Sequence, residues 1–208
     1  MRFENSLIGV LKINSSNYRS ICRAFAFINK SYLVIEQKDQ LEKVSHIIIP
    51  GVSKFGSLIE DLNSLNFLDS LYKAKESGKA ILGLCAGMQI MGKSSEESKG
   101  VEGLGWLDFE VTKINGTTEA NLRSFHTGWN DVVAKTEHQK INVGGCYYFN
   151  HSYFIENCNP SQILGTTEYG NRFVTVVGEE NIIGAQFHPE KSQNDGLKFL
   201  KEFSELKI

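Results

Sequence analysis

A chain of 208 residues, 41% of them hydrophobic and 22% charged, is long and apolar enough for one sizeable domain, 1–208, and no Pro/Ser/Gly-rich or like-charged run divides it. Its formal net charge of −2 gives no broad basic field for nucleic acid, and no stretch is suited to spanning a membrane. The four cysteines, Cys22, Cys85, Cys146 and Cys158, are too scattered for a zinc pattern or a small disulfide scaffold, which predicts a reducing, cytoplasmic setting with no metal and no cofactor.

The first apolar run, Leu7–Ile13, is short, carries Lys12 and lacks a cleavage site, so it reads as a strand rather than a signal peptide. A helical pattern over Tyr18–Asn29 follows, then strands at Tyr32–Ile35 and His46–Pro50, a helix over Phe67–Ser77, a strand at Ala80–Leu84 and a helix from about Gly87. Such alternation predicts a three-layer α/β fold, an open and mostly parallel sheet with helices on both faces. The second half changes character. Phe109–Ile114, Gly128–Val133, Cys146–Ile155, Ile163–Thr167, Arg172–Gly178 and Ile182–Phe187 read as shorter strands forming an antiparallel extension, and a helix over Asp195–Leu206 follows them.

Gly83-Leu84-Cys85-Ala86-Gly87 places a cysteine where a strand turns sharply into a helix, with a glycine two residues away on each side. This is a thiol version of the nucleophile elbow, in which a strained residue exposes its side chain above the strand end. Free N–H groups of the following helix would favour thiolate over thiol.

Ligands of parallel sheets sit beyond the carboxyl ends of the strands, and a base is expected there. In Phe187-His188-Pro189-Glu190 the proline keeps His188 from helical geometry. An extended tripeptide then puts His188 and Glu190 on one side, so that Glu190 holds one imidazole nitrogen and leaves the other for Cys85. His126 and His151 sit beside aromatic residues with no carboxylate two residues away, which makes them weaker bases. His46 opens a core strand and His138 lies in a polar turn. The other three cysteines lack glycine-flanked elbows and read as packing residues. A tetrahedral intermediate also needs donors for its oxyanion: the backbone N–H of Ala86 supplies one, and the Pro50-Gly51-Val52-Ser53 turn is the source of a second.

Three elements, Gly83-Leu84-Cys85-Ala86-Gly87-Met88-Gln89, Pro50-Gly51-Val52 with Phe55-Gly56, and Gln186-Phe187-His188-Pro189-Glu190-Lys191-Ser192, resemble the class I (triad) glutamine amidotransferases. Gly103-Leu104-Gly105, His126-Thr127-Gly128-Trp129-Asn130 and His151-Ser152-Tyr153 extend the resemblance over nearly the whole chain and narrow it to glutaminase subunits of the imidazole glycerol phosphate synthase type. The resemblance implies Cys85, His188 and Glu190 as the triad and the backbone of Val52 and Ala86 as the oxyanion hole. It implies Gly51, Gln89, Ser152 and Tyr153 as contacts to L-glutamine. Asn17, Trp129 and Lys191 would face a (β/α)₈ cyclase subunit that receives the ammonia. Two departures stand out: Ser53 occupies a position that is usually glycine, and Lys12-Ile13-Asn14-Ser15-Ser16 replaces an acidic-aromatic-glycine sequence in a loop expected to face the partner. A paralogue feeding a different synthase, for instance one building an amidino sugar for a surface polysaccharide, and a catalytically silent interaction module are the alternatives left open.

Overall fold

The computed structural model describes residues 6–14, 16–116, 123–135 and 141–207; His138 and Ser15 lie outside the described residues. Strands β1 (Ile8–Leu11), β2 (Tyr32–Ile35), β3 (His46–Gly51) and β4 (Ala80–Cys85) run parallel in the order β2-β1-β3-β4. Their sequences are nearly continuous apolar runs because both faces are covered. The period-two alternation is visible in β3, where Ile47 and Ile49 join one core cluster and Ile48 the other.

Helices α2 (Phe55–Ser64) and α3 (Leu68–Glu76) bury Leu58, Leu62 and Leu71 on the first face. Helices α1 (Tyr18–Phe27) and α5 (Gln193–Ser204) bury Ile21, Phe25, Phe199 and Phe203 on the second. The α1 sequence YRSICRAFAF has no acidic residue in its first turn and no side-chain cap. Propensity differences of under ~1 kcal/mol per residue matter less there than burying Ile21 and Phe25, each worth roughly 1.5–3 kcal/mol. Helix α2 went unforeseen in the sequence, although Phe55, Leu58 and Leu62 mark its buried face at helical spacing. The helix expected from Gly87 is one turn, α4 (Ala86–Gln89).

Beyond α4 come β5 (Ser94–Ser95), β6 (Glu110–Lys113), β7 (His126–Ala134), β8 (Gly145–His151), β9 (Tyr153–Glu156), β10 (Ile163–Tyr169), β11 (Asn171–Glu179) and β12 (Ile182–Ala185). The sheet continues β4-β12-β11-β10-β7-β8, with β5, β6 and β9 branching from β11. The antiparallel extension is therefore present, with two corrections. The run Cys146–Ile155 is broken at Ser152 into β8 and β9. The run Ile182–Phe187 belongs to the parallel block: β12 lies parallel to β4, with Ala185 opposite Leu84, and antiparallel to β11. No described helix is long and apolar enough to cross a membrane.

Candidate active site

Strands β3, β4 and β12 end side by side, with Gly51 in register with Cys85 and Ala185 with Leu84. That register sets the site. Cys85 adopts φ 54° and ψ −112°, a conformation that costs a side-chain-bearing residue about 1–3 kcal/mol and persists only when its surroundings impose it. They do so by close approach. A Cβ on Gly83 would lie 2.4 Å from the Gly87 carbonyl oxygen, one on Gly87 would lie 2.0 Å from the Ile49 carbonyl oxygen, and one on Gly51 would lie 2.6 Å from the Gly87 nitrogen. Three glycines thus interlock under the sulfur.

His188 follows β12 and is anchored by its own N–H donating to the Tyr148 carbonyl at 2.9 Å. Its carbonyl accepts from the Ser192 hydroxyl at 2.6 Å, and Ser192 Oγ in turn accepts the Tyr148 N–H at 2.9 Å. The expected extended tripeptide is half realised: His188 is extended, but Pro189–Lys191 forms a 3₁₀ turn, because proline's fixed φ suits the first position of a helical turn. The turn still brings Glu190 Oε1 to 3.0 Å from His188 Nδ1. Asn17 Nδ2 donates to the same oxygen at 3.0 Å, which ties Asn17 to the carboxylate that holds His188. Burial opposes a charged imidazole. Yet the Cys85 sulfur, by charge and hydrogen bond, and the Glu190 carboxylate together push His188 up to about 10. The raised value favours the protonated ring, held between the sulfur and the carboxylate. By contrast, burial without a counter-charge pushes the Cys22 and Cys158 thiols up to about 11, and Cys22 packs in the second core cluster. The smaller rise at Cys146 comes from burial and from Asp131 and Asp195.

A cavity of about 980 Å³ opens over the sulfur, and its walls include Val52, Ser53, Ala86, Gln89, Ser152 and Tyr153 as well as Asn17, Cys85, His188 and Lys191. Gly51, buried beneath, positions Val52 at the mouth. Gln89 is buried and donates to the Tyr153 carbonyl at 3.1 Å and to Gln186 Oε1 at 3.0 Å. Gln186, to which the sequence reading gave no role, donates from Nε2 toward Cys85 Sγ at 3.7 Å; its place two residues before His188 was the available signal. Trp129 lies outside the cavity walls, 48% exposed, edge-on to Tyr148 with ring centroids 6.2 Å apart, and Lys191 Nζ lies 5.5 Å above the same ring. His46 is structural: it bonds Ser45 Oγ and the Leu206 carbonyl and packs on Phe203. His126 and His151 pair with each other rather than with Cys85. Among the described residues no three His, Cys, Asp or Glu side chains converge as a metal site.

A strained cysteine at a strand-to-helix turn, a histidine following the neighbouring strand and a carboxylate behind it form the arrangement that nucleophilic thiol chemistry requires. The chain belongs to the class-I glutamine amidotransferase family, whose family model matches residues 10–205. It is 36% identical over 205 residues to the imidazole glycerol phosphate synthase subunit HisH of Methanocaldococcus jannaschii, covering 96% of this chain and 100% of that protein. It is 36% identical over 203 residues to the Pyrococcus furiosus protein of the same name (96% and 98%) and 32% identical over 204 residues to that of Bacillus subtilis (96% and 96%). Among solved structures, a glutamine amidotransferase superposes with a TM-score of 0.74 at 19% identity, covering 95% of this chain and 98% of that one. The Thermotoga maritima PurLQS structure superposes at 0.73 with 17% identity, covering 98% of each chain. Both are likenesses of fold.

Proposed function

We propose that this chain is the glutaminase subunit of an imidazole glycerol phosphate synthase, hydrolysing L-glutamine and passing the ammonia to a (β/α)₈ cyclase subunit in histidine biosynthesis. The observation that carries the reading is the parallel pairing of β4 with β12, which sets His188 and Glu190 beside the strained Cys85, in a chain similar over nearly all its length to HisH subunits.

Cys85 attacks the γ-carboxamide carbon as thiolate, forming the C–S bond. The backbone N–H groups of Val52 and Ala86 receive the oxyanion. His188 gives its proton to the departing nitrogen as the C–N bond breaks, and ammonia leaves. The now neutral imidazole takes a proton from water, whose oxygen attacks the thioester; glutamate departs and Cys85 regains its starting form. Glu190 holds the imidazole by Nδ1 and stabilises its cation, and Asn17 holds Glu190. Gly51, Gln89, Ser152 and Tyr153 frame the substrate. Ammonia would otherwise be lost to water and protonated, so Trp129, Lys191 and the neighbouring mouth are assigned to the cyclase contact.

The test is ammonia release from glutamine by the chain alone and with a cyclase subunit and its ribotide ligand. Stimulation of roughly tenfold or more, the scale of a 1–3 kcal/mol coupling, is expected. Cys85→Ala should remove glutamine-dependent synthesis and leave synthesis from added ammonia intact. Labelling of Cys85 by a glutamine-mimicking electrophile, with no stimulation by the cyclase, would redirect the chain to another synthase. Failure of glutamine to protect Cys85 would favour the silent module.

A further inference from the structure

His126 and His151 are both buried, and nothing in the mechanism uses them. They stand directly opposite each other on β7 and β8 inside an aromatic shell. His126 stacks on Phe149 with centroids 4.6 Å apart and lies 4.5 Å from Tyr169, and Phe173 lies 5.6 Å from His126 and 5.5 Å from His151. A phenylalanine would suit such a shell, so two polar rings there need a reason, because buried nitrogens are costly unless bonded.

Their bonds supply one. His151 Nδ1 lies 2.8 Å from the Tyr153 main-chain carbonyl. A carbonyl only accepts, so Nδ1 carries the proton and the neutral ring's Nε2 must accept. Its partner is His126 Nδ1 at 3.0 Å, which is therefore also protonated. That leaves His126 Nε2 to accept from Asn130 Nδ2 at 3.2 Å, and the same Asn130 nitrogen donates to the Glu168 carbonyl at 2.8 Å. The Tyr153 carbonyl takes its second donor from Gln89 Nε2, which also donates to Gln186 Oε1, and Gln186 Nε2 faces Cys85 Sγ. Each orientation dictates the next, from Asn130, beside the exposed Trp129, to the nucleophile.

We propose that His126 and His151 are positioning residues, a tautomer-locked imidazole pair that holds the Tyr153 carbonyl and, through it, the Gln89 and Gln186 amides in the orientation that the cavity requires. His151 also lines the cavity wall, but the ring nitrogens of the pair are spent on each other, on the Tyr153 carbonyl and on Asn130, so its assigned part is positioning. This rests on the glutaminase reading, and it adds that β7, the strand bearing Trp129, is hydrogen-bonded stepwise to the cavity wall. Burial supports the neutral forms: it pushes His126 down to about 4 and, with smaller effects from His126 and His188, His151 down to about 3.

Two measurements on the full chain test it. Long-range ¹⁵N imidazole spectra should show both rings neutral and protonated at Nδ1, the less common tautomer in water; an Nε2–H form at either ring overturns the assignment. Kinetically, His151→Phe fills the space without polar atoms, whereas His151→Asn keeps a donor near the Nδ1 position. With activities scaled to folded protein, the Phe variant should raise KM for glutamine about tenfold with a smaller change in kcat, and the Asn variant should return KM to within about threefold of the parent. A KM unchanged in the Phe variant, or equally raised in both, reduces the pair to packing and overturns the proposal. Asn130→Ala, at the outer end of the chain and away from the core, should raise KM in the same sense and serves if the Phe variant does not fold. If the unaltered protein releases no ammonia from glutamine with or without the cyclase, the glutaminase reading fails and the tautomers alone decide the pair.

Discussion

Glu190 accepts two hydrogen bonds on one oxygen, from His188 Nδ1 and from Asn17 Nδ2, while its buried Oε2 has no partner among the described residues. The carboxylate's orientation therefore leans on Asn17. A hydrogen bond to a buried charge contributes roughly 1.5–3 kcal/mol, so Asn17→Ala should lower kcat by about tenfold or more while KM for glutamine moves less than twofold. An unchanged kcat would leave Asn17 with only its place near the cavity mouth. Ser53 is the other informative residue. It is absent from the positive-φ positions, so its side chain causes no backbone strain in this state, and its buried Oγ is unpartnered among the described residues. If the oxyanion hole forms by a peptide rotation that takes this residue to positive φ, the serine opposes it by about 1–2 kcal/mol. Ser53→Gly is then expected to raise kcat roughly five- to thirtyfold in the presence of the partner subunit. A kcat equal to the parent's would show that Val52 reaches the oxyanion without that rotation.

At the scale of elements, the elbow works by contact rather than by glycine flexibility. Gly87→Ala would place a methyl 2.0 Å from the Ile49 carbonyl oxygen, and both atoms belong to rigid backbone. Relief requires α4 to part from β3. Overpacking of this kind costs about 1–3 kcal/mol or more, which for a chain of this size lowers Tm by several degrees. Thermal melts of Gly87→Ala should show that drop together with loss of glutaminase activity; a parent-like Tm would mean that the turn into α4 yields. The glycine spacing around Cys85 was readable in the sequence because close approach admits no other residue. Asn17's bond to Glu190 was not, since it joins residues 173 apart and nothing local in Asn17-Tyr18-Arg19 announces it. Likewise α2 was hidden by the Pro-Gly turn before it, and the short break at Ser152 by the apolar residues on either side.

For the whole molecule, the decisive fact is where β12 lies. Read locally, Ile182–Ala185 resembles its antiparallel neighbours; only the pairing with β4 reveals it as the strand that completes the parallel block. Burial of neutral His126 and His151 also shapes stability. Their folded pKa values lie below the unfolded value of about 6.5, so the folded state binds fewer protons and stability is lost as pH falls from 6.5 toward 4 and 3. His188 runs the other way: its folded value is raised, so its contribution is complete below 6.5 and is lost as pH rises toward 10. Urea midpoints should therefore be lower at pH 5 than at pH 7, and His151→Asn should narrow that difference. Parallel pH profiles for the two proteins would show that the imidazole pair does not set the acid limb.

The position of β12 also orders events during synthesis. Gln186 follows Cys85 by 101 residues, and a nascent chain folds from its N-terminal side as it emerges. While only the first half has left the ribosome, β4 has an open edge and the Cys85 thiol has neither His188 nor the Gln186 amide beside it. Under the proposed mechanism the thiol is made early and armed late, and a half-translated chain holds a sulfur without the groups needed to hydrolyse glutamine.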